Sequence, residues 1–445
     1  MQNEHQLQRG LSLPQATAIN MIDMVGIGPF IIISGMVSLM AGPASLIAWL
    51  IGAFLAYMDG MVWAEMGAKW PEAGGSYVFL QKLFGGNAGK LMAFLFVWQT
   101  SIQAPLVVAS GAIGFAQYFS YLIPLDPMQK KMVSGALVIL LVALLYRDIK
   151  SIGKISVVLS AITIGTMLWV IFSGVPKFNS SLVFDKSYWS FDCSKLFFAA
   201  LGQASLKAVY SYLGYYNVCH LGGEIKDPSK NIPRAIFLSI TGIAILYLGM
   251  QTVILGVVPW QQLAHSDFVI SLFFETVYNH TVAQIATVFI LCIALASLFA
   301  VILGYSRVPY AAALKGDFFP VFGKVHPRLK FPHISLLALG GLAFIFSLLF
   351  RLGEVISAIV TMRILIQFVS QAIGVIRWHY TKPHDERPFK MPLFPVPAII
   401  SIIIWLYILT MSQTIFIILA LGIIVLGVIM FYVKESLVTN RSIRQ

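Results

Sequence analysis

Seven residues, Met24-Val25-Gly26-Ile27-Gly28-Pro29-Phe30, place two glycines and a proline in the middle of a long apolar stretch. A proline inside a helix removes one amide donor and costs roughly 3 kcal/mol, and glycine favours unwinding, so a continuous helix is not expected here. A half-helix that begins near Pro29 offers unsatisfied amides and the positive end of its dipole, which suit an anionic group. A second interruption falls at Tyr210-Ser211-Tyr212-Leu213-Gly214-Tyr215-Tyr216-Asn217. A helix that ends there near Leu213 leaves free carbonyls and a negative dipole end to hold a cation. A zwitterion fits between the two ends.

Other polar residues sit where an apolar segment has little reason to carry them. Gln99 and Gln103 are four apart and share one helix face, either lining a polar pocket or hydrogen-bonding another helix. Asn217 caps the second half of its broken helix or touches the solute. Asp23, Asp59, Lys207 and Arg363 lie inside apolar segments, where an ionisable group costs on the order of 3 kcal/mol on insertion scales. Asp23 precedes the first break and Lys207 precedes the second, so the two fall on opposite sides of the gap and a direct pair is not expected. Burial or mutual repulsion disfavours one of the charges on Asp23 and Asp59, so either could carry a coupling proton; the competing reading is an inner gate tied to Arg or Lys. Thr163 and Ser297 could contribute oxygens to a sodium site or simply hydrogen-bond within their helices.

These residues need long helices to hold them, and the composition supplies them. Of the 445 residues 58% are hydrophobic and 11% charged, with a mean hydropathy of +0.84, values of a polytopic membrane protein rather than a soluble domain. Apolar runs long enough to cross a bilayer fall near 16–40, 44–67, 89–119, 131–146, 152–174, 196–221, 235–258, 284–306, 333–350, 354–378, 396–412 and 414–433, which predicts an all-α protein of twelve transmembrane helices. Most of the 30 Lys and Arg then lie on one side, so both termini are expected in the cytoplasm of a multi-pass protein of the cell membrane. The same scatter over short loops argues against a nucleic-acid partner despite the net charge of +12.

Interrupted backbone at membrane depth survives only against protein or a water-filled cavity. Breaks in the first and sixth helices, five apart, point to two inverted five-helix repeats with a binding site between them. The predicted organisation is a cytoplasmic segment 1–12, a transport core 13–380, helices 11 and 12 with their preceding loop over 381–433, and a tail 434–445. Residues 1–12 carry no pattern of a removable secretion signal. Cys193, Cys219 and Cys292 have no paired spacing, and no catalytic triad, set of paired metal ligands or phosphate-binding loop is present. No enzyme, cofactor, metal or ATP is expected, so transport would be driven by gradients or exchange.

The run Gly26-Ile27-Gly28-Pro29-Phe30 resembles the first-helix signature of the amino acid–polyamine–organocation (APC) superfamily. Ala64-Glu65-Met66-Gly67 with Pro71-Glu72-Ala73-Gly74-Gly75-Ser76-Tyr77 is similar to its segment after helix 2, and Gly223-Glu224-Ile225-Lys226-Asp227-Pro228 through Ala235 to its loop after helix 6. Ser306-Arg307, Gly316 and Pro320 match the end of helix 8, so the resemblance spans roughly residues 9–430 and is nearest to bacterial amino acid permeases. It implies a LeuT-type fold and secondary transport of amino acids or related amines by alternating access. It further implies that the amides of Ile27 and Gly28, beside Gly26, meet a substrate carboxylate, while the carbonyls of Met24, Tyr210 and Leu213, beside Gly214, accept the ammonium. Tyr210 occupies the position of an aromatic gate. Pro29 departs from the isoleucine-like residue usual in the family. Some amine transporters of the superfamily carry a lysine in helix 5, where this chain has Thr163. Glu65, Glu224 and Arg234 read as inner-gate or loop-anchoring residues. The alternatives are a polyamine or organic-cation carrier of the same fold and a non-transporting amino acid sensor.

Overall fold

The computed structural model describes residues 7–189, 194–349 and 359–442, with side chains through Val433. It is helical throughout, and the described residues form no strand beyond the isolated bridges Leu11 to Ile225 and Ala73 to Leu221. The first predicted span is two helices. α1 (Leu13–Met24) starts from a capping box, in which the Ser12 amide donates to Gln15 Oε1 at 2.9 Å. α2 (Gly28–Leu39) restarts with Pro29 in its first turn, and the pair bends by 44° across Val25–Ile27.

Downstream, α3 (Ser45–Lys69), the short α4 (Ser76–Phe84), α5 (Gly86–Leu122), α6 (Pro127–Leu145) and α7 (Ile149–Gly174) follow in order. At 37 residues α5 runs about 55 Å, more than the ~30 Å hydrocarbon core, so it must tilt or emerge from it. The sixth predicted span is α8 (Lys195–Tyr212), an extended Leu213 with φ −60° and ψ 137°, and a single turn, α9 (Asn217–His220). After them come α10 (Pro228–Val257), α11 (Val269–Val277), α12 (His280–Tyr305), α13 (Arg307–Leu314) and α14 (His333–Leu349). A six-residue π turn over Ile364–Val369 opens α15 (Ser370–Thr381), and α16 (Val396–Met411) and α17 (Thr414–Ser442) close the chain.

Among the described residues eight helices are long and apolar enough to cross a membrane, or nine with the bent pair counted as one span. α8 is not among them, and α14 and α16 are apolar but shorter, at 17 and 16 residues. The beginning of the predicted span 354–378 and Cys193 lie outside the described residues.

α3 packs along α8 and α10, while α5 packs along α12, α14 and α6. Small residues allow the first of these contacts. A Cβ on Gly52 would come within 2.8 Å of the Tyr212 ring, one on Gly60 within 2.8 Å of Ile240, and one on Gly67 within 2.7 Å of Ile232. α16 lies against α3 and α8, and α17 against α5.

One end of the bundle is held by buried ionic contacts. Arg307 Nε and Nη2 donate to Glu224 Oε2 and Oε1 at 2.9 and 2.8 Å, with both side chains almost fully buried. The Glu224 carbonyl also accepts the amides of Gly10 and Leu11, which fixes the chain just before α1. Glu224 is therefore anchored by Arg307 rather than Arg234, which lies beside Phe389 and Pro388 along a surface groove. Glu65 Oε1 meets His379 Nε2 at 2.7 Å and Arg387 Nε at 3.5 Å, so it joins α3 to α15 and the following loop.

The same loop, residues 382–395, carries a pH-sensitive contact. Asp385 accepts hydrogen bonds from Lys69 Nζ at 2.7 Å and Trp378 Nε1 at 2.9 Å, and these donors hold its carboxyl below its ordinary range. A folded value below the unfolded one means that the contact contributes fully above the unfolded pKa of about 4 and is lost as pH falls through the lower folded value. Hydrogen exchange of this loop, corrected for its intrinsic pH dependence, is expected to stay flat from about pH 8 to about pH 5 and to rise below about pH 4. Lys69→Met should remove that step.

Candidate functional site

The two breaks open onto one cavity of about 60 Å³, room for several waters at ~10–15 Å³ each. Asp23, Met24, Gly26, Ile27, Gly28 and Pro29 line it from the first break, and Tyr210, Ser211, Leu213, Gly214 and Tyr216 from the second. Ser297 and Tyr305 of α12 and the buried Arg363 complete its polar wall, while Val107, Leu298, Val301 and Ile359 supply apolar surface.

The first break exposes donors. Proline at position 29 has no amide, and among the described residues the Ile27 and Gly28 amides donate to no backbone carbonyl. Nothing larger than glycine fits beside them, since a Cβ on Gly28 would sit 2.7 Å from Tyr210 Cε1 and one on Gly26 2.7 Å from Ser297 Oγ. The Tyr210 ring thus covers the start of α2. Ser297 Oγ itself donates to the Asp23 carbonyl at 3.3 Å.

The second break exposes acceptors, though not all of those expected. The Met24 carbonyl receives Tyr247 Oη at 2.8 Å and the Gly26 amide at 3.3 Å, and the Tyr210 carbonyl receives the Leu213 amide at 3.3 Å. Among the described residues no backbone amide donates to the Leu213 carbonyl, which leaves it the freest of the three expected acceptors. Gly214, at φ +124°, turns the chain so closely past α1 that a Cβ would lie 2.8 Å from both Asp23 Cγ and the Met24 amide nitrogen.

Two side chains that the sequence reading missed tie the breaks together. Asn20, fully buried on α1, donates from Nδ2 to the Tyr215 carbonyl at 2.6 Å and accepts the Val218 amide on Oδ1 at 2.8 Å. The Tyr247 hydroxyl on α10 reaches Met24 O at 2.8 Å and Ser211 O at 3.0 Å, one carbonyl from each broken helix. Removing a donor shared by two buried carbonyls costs about 1–3 kcal/mol. Tyr247→Phe is therefore expected to raise the KM for uptake roughly 10-fold with the fold retained, as judged by uptake kinetics alongside thermal unfolding.

Several expected residues lie elsewhere. Asn217 is not a cap: Tyr216 holds that position, and Asn217 Nδ2 donates to the Ala300 carbonyl at 2.8 Å. Gln99 and Gln103 are buried on α5 away from the residues that line this cavity, and their amide atoms have no hydrogen-bond partner among the described residues. Lys207 is half-buried, with its Nζ 3.7 Å from where a Gly35 Cβ would be, and forms no ion pair among the described residues. Thr163 is buried on α7 with its hydroxyl unpartnered, off the cavity wall.

Asp59 is also outside the cavity. It accepts hydrogen bonds from Trp63 Nε1 at 2.8 Å, Tyr215 Oη at 2.5 Å, Ser401 Oγ at 2.9 Å and Trp405 Nε1 at 3.3 Å. No arginine or lysine is among these partners, so it is not a basic-residue gate. Four donors thus surround the carboxylate. This arrangement braces the second break through Tyr215. Of the two aspartates, Asp23 faces the cavity.

Arg363, noted in the sequence only as a charge inside an apolar segment, is 3% exposed at the cavity wall, immediately before the π turn. Its Nη1 donates to Tyr216 Oη at 2.5 Å, and its guanidinium lies 5.1 Å from the Tyr305 ring centroid. Among the described residues, no cluster of His, Cys, Asp or Glu is arranged to hold a metal ion.

Comparison with known proteins follows the same lines. A family model described as amino acid permease matches residues 11–443. The chain is 24% identical over 424 residues to the branched-chain amino acid permease BcaP of Bacillus subtilis (strain 168), covering 91% of this chain and 88% of that one. It is likewise 24% identical to the methylthioribose transporter of the same organism, over 89% and 86% of the two chains. To the human cationic amino acid transporter 4 it is 24% identical over 85% of this chain and 61% of that protein.

Proposed function

The chain belongs to the amino acid permease family of the APC superfamily, and we propose that it is a secondary active amino acid transporter working by alternating access. The family is one of permeases rather than enzymes, and the chain is a multi-pass membrane protein. The observation that carries the proposal is the juxtaposition of two helix breaks on one cavity, with the free amides of Ile27 and Gly28 on one side and the Leu213 carbonyl on the other. An α-carboxylate on those amides and an α-ammonium on that carbonyl, close to Asp23, would use both dipole ends. Gly26 and Gly214 admit the close approach, and Tyr210 serves as the gate over the bound solute.

In this reading twelve spans form two inverted five-helix repeats followed by two peripheral helices, in the cell membrane with both termini cytoplasmic. Asp23 is the coupling group of choice, with a proton favoured over sodium. A polyamine substrate fits less well, because Arg363 on the cavity wall would repel it.

The reading is tested by uptake of labelled amino acids, putrescine and methylthioribose into liposomes holding purified protein. Proton and sodium gradients are imposed in turn, with and without internal substrate. Accumulation or exchange of an amino acid is expected. Binding without either would identify a sensor, and uptake of putrescine alone an amine carrier.

A further inference from the structure

The cavity holds one feature that the general site for an α-amino acid leaves unused. Arg363 is as deeply buried as Arg307, yet the two differ in what neutralises them. Arg307 has a bidentate carboxylate, with Glu224 at 2.8 and 2.9 Å. Arg363 has a phenol and an aromatic face, its Nε is buried without a partner, and no carboxylate among the described residues lies within 4 Å. A buried guanidinium without an acid beside it is costly unless another group supplies the negative charge.

Asp23 faces the same cavity and attracts Arg363 across it, but the two form no ion pair within 4 Å. Its carboxylate carbon lies 2.8 Å from where a Gly214 Cβ would be, so it sits against the second break, where an α-ammonium is expected. The amides of Ile27 and Gly28 await an α-carboxylate at the first break. The remaining charge on the wall is Arg363, whose planar fork matches a carboxylate.

We propose that Arg363 is a specificity-determining residue that binds a second carboxylate, on the side chain of the transported solute, so that the substrates are dicarboxylic amino acids. This rests on the amino acid transporter reading above. Cationic side chains would meet a like charge, and neutral ones would leave Arg363 with only the more distant Asp23.

The test uses the purified full chain in liposomes and compares L-glutamate with L-glutamine and L-aspartate with L-asparagine, pairs that differ by the side-chain charge. The wild type is expected to favour the acid by roughly 100-fold in kcat/KM. Arg363→Gln should bring each pair to within a few-fold, chiefly by slowing the acid, and Arg363→Lys should fall between. Ligand-induced thermal stabilisation gives the same comparison should a variant bind without transporting. A wild type that handles neutral amino acids as well as acids overturns the proposal and leaves the transporter reading intact. So does an Arg363→Gln protein that loses glutamate and glutamine equally, the result expected if Arg363 only closes a gate against Asp23. A folded wild type that neither binds nor moves any amino acid overturns both.

Discussion

Replacing Arg307 by leucine is expected to destabilise the protein by about 3–5 kcal/mol, the cost of leaving one member of a buried ion pair alone. Glu224 would keep its two oxygens away from water after losing both donors at 2.8 and 2.9 Å. The damage should spread, because the Glu224 carbonyl also holds the Gly10 and Leu11 amides, and Ile225 pairs with Leu11. The segment before α1 would therefore loosen together with the chain after α9. A buried pair replaced as a unit behaves differently, since desolvation offsets much of its attraction. The double variant Arg307→Leu, Glu224→Leu should recover most of the loss. Thermal unfolding of the detergent-purified proteins measures both, and equal losses in the single and double variants would mean that the leucine is misfit rather than the carboxylate stranded.

What could be read in the sequence was what local chemistry determines. Gly26, Gly28 and Pro29 fall together within four residues, which disfavours an unbroken helix, and Gly214 marks a turn, so both interruptions were visible from the local order of residues. The apolar runs located most helices to within a few residues, though α10 starts earlier and α17 ends later than read, and the second half of the sixth span is one turn. A run of apolar residues records burial, and cannot say whether the backbone within it stays helical.

The cross-links between breaks were not legible, because they join residues far apart in the chain. Tyr247 and Met24 are separated by 223 positions, and Asn20 and Tyr215 by 195. Asn20 left one faint signal, an amide among apolar neighbours on the helix that carries the first break. Tyr247 left none, since tyrosine in an apolar run is ordinary. Capping is a local rule, and a carbonyl on α12 takes the Asn217 side chain instead. Arg363 was visible as a charge in an apolar segment, yet only the fold brings it to the cavity wall.

Gly214→Ala is expected to reduce uptake roughly 100-fold or more, because the new methyl group meets two obstacles at once. Its backbone, at φ +124°, lies where a non-glycine residue pays ~1–3 kcal/mol. Its Cβ would fall 2.8 Å from the Met24 amide nitrogen and from Asp23 Cγ, and a backbone atom cannot swing aside as a side chain can. Relief requires the two breaks to move apart, which would widen the separation between the Ile27 and Gly28 amides and the Leu213 carbonyl. Charged groups facing a small solute lose their advantage when displaced by an ångström, so binding suffers before folding does. Gly165→Ala supplies the control: nothing lies within 4 Å of its Cβ position on α7, and alanine there should be neutral or stabilising by ~0.5–1 kcal/mol. Uptake and thermal unfolding measured on both variants separate the effects. Full uptake by Gly214→Ala would mean that the close approach of the two breaks is not what builds the site.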